Sequence, residues 1–344
     1  MRDVDGRRDR IHAAPSRATD RTVKPPMNTA ARPLAAPLSA RRAPDAFAVG
    51  LMILLCAIWG FQQVAIKSTN TAIAPVLQAG LRSAIATGLV FGWARLRGTS
   101  LFRADGTLGA GLAAGLLFAG EFVCIFFGLT LTSASRMAVF LYTAPCFTAI
   151  GLHAFVAGER MRRTQWFGVA IAFVGIALAF ADGFTRAPAH GGSPLAAVAG
   201  DALGIAAGVL WAATTVVVRA TRLSHTSASK TLFYQLAVSA VALLALAAAL
   251  GEFHAIHLTP LAAASLGYQA VIVAFVSYLT WFWLLTRYTA SKLSVFSFLT
   301  PLFGVGFGVV LLGESFNLRF VLAAALVLAG IVLVNAPARR AGMP

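Results

Sequence analysis

Acidic residues are scarce. Twelve Asp and Glu stand against 28 Lys and Arg in 344 residues, and charged residues make up only 12% of the chain. A soluble domain is nearer a quarter charged, so a water-exposed globular surface is excluded for most of the sequence. The shortage also excludes most hydrolytic chemistry. Glu121 alone falls well inside an apolar run, and a two-carboxylate or metal-assisted mechanism needs more than one buried acid. No His-Glu-x-x-His, Gly-x-Ser-x-Gly or Walker loop occurs, so no catalytic residue, metal site or cofactor is expected. Cysteine is rare too: Cys56, Cys124 and Cys146 all sit in apolar runs, which implies no disulfide framework. Long connections are missing as well. No loop has room for a soluble domain, which disfavours a membrane-embedded enzyme or a sensor.

What is abundant is apolar sequence, at 58% of the chain. From Ala46 onward, ten runs approach the 20 or so residues that cross ~30 Å of hydrocarbon. They lie near 46–66, 74–95, 107–128, 134–157 and 164–182, then near 200–221, 229–250, 262–286, 291–312 and 317–335. The weakest breaks are those between the third and fourth runs and between the eighth and ninth. The expected fold is an all-α integral membrane protein with ten transmembrane helices embedded in the lipid bilayer. Residues 1–45 hold ten Lys/Arg, five Asp and six Pro without hydrophobic period, which reads as a disordered tail. Met27 is an alternative start within it. Residues 183–199, rich in Gly, Pro and Ser, read as a linker, and 337–344 as a C-terminal tail.

The two halves repeat each other. GLTLTSASRMAVFLYTAP at 128–145 aligns without a gap on LLTRYTASKLSVFSFLTP at 284–301, with seven of eighteen positions identical. Each copy runs on into Gly-Glu, at Gly158-Glu159 and Gly313-Glu314. Trp59-Gly60 followed by Lys67 matches Trp211-Ala212 followed by Arg219 at the same spacing. The units are thus 46–182 and 200–336. Counting Lys and Arg by loop puts 23 of the 28 on the tail's side and four on the other. By the positive-inside rule both termini are cytoplasmic, and the net charge of +16 is a topology signal, with no nucleic-acid partner implied. Five helices is an odd number, so the second unit enters the membrane in the opposite sense. Inverted repeats place a binding site near the midplane and let the halves rock around it.

These features resemble the EamA-type drug/metabolite transporter superfamily: the Trp-Gly and Trp-Ala of helices 1 and 6, Leu81-Arg82, the Thr-Ser-Ala-Ser and Tyr-Thr-Ala-Ser openings of helices 4 and 9, their mid-helix prolines, and the Gly-Glu that follows. The resemblance covers about 46–336. It implies a bacterial inner-membrane carrier, often an exporter of amino acids, related metabolites or toxic compounds. An uptake carrier or facilitated exchanger is the alternative.

An ionisable residue at membrane depth is costly and functional by default, so Arg82 and Glu121 lead the candidates. Their similar depth leaves three roles open: a buried ion pair joining helices 2 and 3, Arg82 holding a substrate carboxylate, or Glu121 carrying a coupling proton. The second unit has Tyr234-Gln235 and Ser277 at the matching positions, so the polar equipment is one-sided. Trp59, Gln62, Gln63, Tyr142, Trp211 and Gln269 are further candidates for a substrate cavity, or for packing and interhelical hydrogen bonds. Trp281 and Trp283 could line the same cavity or form an interfacial belt. Pro145 and Pro301 should kink their helices, as static bends or as gates. Glu159 and Glu314 sit just before the next helix starts, where negative charge is favoured. Glycines four apart, as in Gly200, Gly204 and Gly208, allow close helix packing inside the bundle or in a homodimer.

Overall fold

The computed structural model describes residues 41–69, 72–132, 134–181, 194–312 and 318–336. Among them the chain is helical throughout, with no strand. Helices α1 (Ala46–Thr69), α2 (Pro75–Leu96), α3 (Leu108–Leu131), α4 (Ala134–Leu141), α5 (Ala144–Phe155) and α6 (Arg163–Ala179) form the first half. The second half has α7 (Pro194–Ala220), α8 (Ala228–Ala249), α9 (Pro260–Gly267), α10 (Tyr278–Arg287), α11 (Ala290–Ser294), α12 (Leu299–Leu312) and α13 (Leu318–Asn335). A π-helical stretch, Tyr268–Ser277, joins α9 to α10, and a 3₁₀ turn, Val295–Phe298, joins α11 to α12. Seven helical segments among the described residues are long and apolar enough to span a membrane, with two shorter apolar ones at Ala46–Gln62 and Arg163–Ala179. α2 has the length, at 22 residues, but carries Gln78 and Arg82 in its first half.

Two boundaries differ from expectation. α7 starts at Pro194, inside the stretch read as linker, because proline suits a first helical turn where its missing N–H has no helical partner. The rest of that linker, residues 1–40, 337–344 and Gly313-Glu314 lie outside the described residues. Arg41–Asp45, expected to belong to the tail, packs on the body. The Arg41 guanidinium donates to the Thr286 and Ser224 carbonyls at 3.1 and 2.8 Å. The Thr289 N–H donates to the Arg42 carbonyl, and the Tyr288 hydroxyl to Asp45 at 2.8 Å.

The prolines do more than kink. Proline cannot donate a hydrogen bond and its ring crowds the carbonyl four residues earlier. Ahead of Pro145 the helix breaks outright at Tyr142-Thr143, and ahead of Pro301 it tightens into the 3₁₀ turn.

The halves interlock instead of sitting side by side. α1 packs on α12, α2 and α3 on α8, α3 and α5 on α7, and α6 on α13. Glycine permits the closest of these approaches. A Cβ on Gly200 would lie 2.7 Å from Thr132, one on Gly204 2.8 Å from Phe140, and one on Gly208 3.0 Å from the Leu141 carbonyl. The stripe is used inside the bundle, where α7 meets the end of α3 and the α4–α5 break.

Candidate functional site

Between the halves lies a cavity of about 730 Å³. Its lining includes Trp59, Gln62, Arg82, Glu121, Tyr142, Pro145, Trp211, Gln269 and Pro301, all singled out by the sequence, while the Gln63 side chain lies outside the described residues. Trp281 also lines it, while Trp283 does not. The walls are aromatic. Trp59 meets Tyr278 and Trp281 edge-on at 6.4 and 6.1 Å, Tyr142 meets Trp211 at 5.9 Å, and Phe118 meets Tyr278 at 5.9 Å. The Trp59 indole donates to Ser277 at 2.8 Å, which ties α1 to the π-helical stretch and fixes that ring.

Arg82 is only 1% exposed, yet its Nε and Nη2 have no hydrogen-bond partner. Its guanidinium lies over the Phe122 ring, 4.3 Å from the centroid. Glu121, 8% exposed, shares the cavity and feels the Arg82 charge, but the two make no ion pair. The described ion pairs are Arg42–Asp45, Arg136–Asp201, Glu159–Arg219 and Lys230–Asp105. Buried polar groups are almost always satisfied. A buried guanidinium facing a cavity without a partner therefore marks a place for an anionic or strongly accepting group. Gln235, at the matching position in the second unit, likewise leaves its Oε1 buried and unpartnered on the same cavity.

Sequence reasoning missed Tyr278, Thr214, Thr215, Ser294, Ser297 and Thr300, which also line the cavity. Small hydroxyls carry no sequence signal of depth. Only two spacings could have drawn notice: Thr214 and Thr215 one turn after Trp211, and the period of three in Ser291, Ser294, Ser297 and Thr300.

The cavity runs toward one end of the bundle, where Ile66, Pro75, Thr130 and Phe180 line it at helix ends. Toward the opposite end lies a buried polar cluster. Glu159, 2% exposed, accepts from the Ala290 and Ser291 N–H groups at 2.8 and 3.0 Å, from the Ser291 hydroxyl at 2.7 Å and from Arg219 at 2.5 Å. Arg219 also donates to the Leu285 carbonyl at 3.3 Å. Glu159 thus caps α11 in the other half, not the helix start that follows it in sequence. Free N–H groups and the helix dipole favour a carboxylate at α11 as at any helix start, and Arg219 neutralises it.

Two further pairs brace the bundle. Arg136 chelates Asp201, which also accepts from Thr132 at 2.8 Å. Lys230, 1% exposed, donates to Asp105 and to the Arg103 carbonyl, both at 2.7 Å. The bond from Lys230, with those from Thr107, holds the Asp105 carboxyl down at about 2, against an ordinary 3.8. A depressed folded value adds stability above the unfolded value, and that stability is lost as pH falls through the folded one. The melting temperature in detergent should therefore fall between about pH 4 and pH 2. In Asp105→Asn it should start lower at neutral pH and lose part of that slope.

The sequence pattern of the EamA-like transporter family matches residues 46–181 and again 198–336. A probable amino-acid metabolite efflux pump of Salmonella typhimurium is 28% identical over 292 residues, 82% of this chain and 93% of that one. One from Escherichia coli is 26% identical over 294 residues, 82% and 93% of the two chains. An uncharacterised transporter of Archaeoglobus fulgidus is 25% identical over 293 residues, 83% and 96%. A solved crystal structure superposes with a TM-score of 0.71 at 21% identity, covering 84% of this chain and 96% of its own, and so shares the fold.

Proposed function

Because the chain belongs to the EamA-like transporter family, and is thus a multi-pass membrane transporter and not an enzyme, we propose that it is a secondary-active exporter of small metabolites or amino acids in the inner membrane. In this reading ten helices span the bilayer as two inverted units, 46–182 and 200–336, with both termini cytoplasmic. The reciprocal packing supports it: the first helix of each unit lies against the fourth of the other, and the second against the third. So do the two relatives named as amino-acid metabolite efflux pumps.

The observation that carries the proposal is the unpartnered Arg82 beside Glu121 in an aromatic cavity built by both halves. Arg82 receives the substrate's carboxylate or another acceptor, and the Trp59, Trp211 and Trp281 faces hold its apolar part. With the Glu159 cluster closed at the cytoplasmic end and the cavity reaching the other, this is the outward-facing state of an alternating-access cycle. The coupling ion is a proton carried by Glu121, whose carboxylate has no hydrogen-bond donor among the described residues.

Efflux from preloaded proteoliposomes tests this. Wild type should export faster with an inward-directed proton flux than without one. Glu121→Gln should retain counterflow exchange but lose the response to the gradient. Unchanged pH-driven export by that variant would sink the coupling role.

A further inference from the structure

Away from the central cavity, a second hollow of about 380 Å³ opens on the flank of the bundle between α2, α8 and α10. Trp93 and Trp283 stand on it, with Arg97, Thr99 and Ser229 between them. Arg97 lies over the Trp93 ring at 4.8 Å from its centroid, and Arg287 over the Trp283 ring at 4.6 Å. Neither guanidinium has an ion-pair partner among the described residues. The hollow also receives the start of α8, a 22-residue helix whose cap, Ser227, accepts only from Lys230. The first N–H groups, of Ala228 and Ser229, have no partner inside the helix. Ser229 is 8% exposed, lines the hollow and has no side-chain hydrogen bond among the described residues.

Arg97, free helix N–H groups and the Thr99 and Ser229 hydroxyls facing one space, with Arg287 stacked on the Trp283 wall, form a phosphate-type site. Its surroundings select the form of phosphate. Tryptophan beside arginine at a helix end is the arrangement of a membrane–water interface. Leu279 lies in the hollow, and Val276, one turn earlier, is exposed on the flank. We infer that this hollow binds the headgroup of an anionic phospholipid, its phosphodiester on Arg97, Thr99 and the start of α8, its acyl chains descending past Leu279 and Val276. The site lies at the end of the bundle that carries Arg41–Asp45, and it does not depend on the nature of the transported substrate.

The two tryptophans report on it directly. The full-length protein is reconstituted with increasing mole fractions of brominated phosphatidylglycerol or brominated phosphatidylcholine, and tryptophan quenching is followed. The anionic lipid should quench at lower mole fraction, with a preference of roughly fivefold per arginine engaged. Arg97→Gln with Arg287→Gln should abolish the preference. Arg95→Gln, whose guanidinium lies over Phe91 outside the hollow, should retain it. If the double variant fails to fold, Trp93→Phe with Trp283→Phe decides, since removing these reporters must remove the preferential component. Equal quenching by the two lipids, or a preference that survives either double variant, overturns the site. Loss of the preference on adding inorganic phosphate at constant ionic strength would mean a soluble phosphate and overturn the lipid.

Discussion

Arg82→Gln is expected to stop transport while leaving the protein as stable as the wild type, or slightly more so. The usual result of removing a buried charge is the reverse. Breaking a buried ion pair strands the partner and costs about 3–5 kcal/mol. Here no partner is stranded, because no carboxylate pairs with Arg82 and two of its nitrogens bond nothing. What Arg82→Gln removes is the desolvated cation awaiting a substrate. A charge-assisted contact of this kind supplies about 2–5 kcal/mol when its partner is bound. Counterflow exchange should fall by roughly a hundredfold, with a melting temperature within a degree or two of wild type. A large loss of stability with residual exchange near wild type would make Arg82 a structural residue and remove the centre of the proposed site. Arg82→Lys should not rescue fully, since the planar guanidinium over the Phe122 ring is not reproduced by an ammonium.

The membrane class and the helix runs were legible because they rest on long apolar stretches and short loops, signals that tertiary packing does not override. Even the two weak breaks are present: α3 ends at Leu131 and α10 at Arg287, each followed by an extended residue just ahead of an Ala-Ser helix start. Arg82 and Glu121 stood out for an energetic reason, since lipid-depth charges are rare. The hydroxyl lining did not. Thr214 bonds the Leu210 carbonyl and Ser297 the Ser294 carbonyl, so such residues satisfy themselves one turn back and sit equally well in lipid-facing or cavity-facing positions. Their place depends on how the halves meet. The role of Glu159 was hidden for a related reason. Its nearest helix start in sequence, Thr164, offered a local explanation, while its actual partners Ala290 and Ser291 lie over a hundred residues away. The internal repeat set Ala290 and Ser291 opposite Ala134 and Ser135, and Arg219 opposite Lys67. What no spacing could show was that the motif's N–H groups in one half are capped by the Gly-Glu of the other.

That cross-connection makes Glu159→Gln the variant with the largest expected effect on conformation. The glutamine keeps the shape but removes the charge, leaving Arg219, whose side chain is 4% exposed, buried without its counterion. It also weakens the cap on α11, where one carboxylate serves two N–H groups and a hydroxyl. If the cluster were only cement for the fold, the loss of about 3–5 kcal/mol would appear as a lower melting temperature and nothing else. If it is the closed cytoplasmic gate, the same energy biases the two states instead, and shifts their ratio by a factor of roughly 10² or more. Ser294, one turn beyond Ser291 on the cavity wall, distinguishes the two. Ser294→Cys should react slowly with a membrane-impermeant maleimide from the cytoplasmic face in the wild-type background, and at least tenfold faster with Glu159→Gln. Adding Arg219→Met removes the stranded charge, so stability should recover. Labelling should remain fast, because the cap on α11 is still lost. Recovery of slow labelling together with stability would show that the pair serves folding and that the gate lies elsewhere.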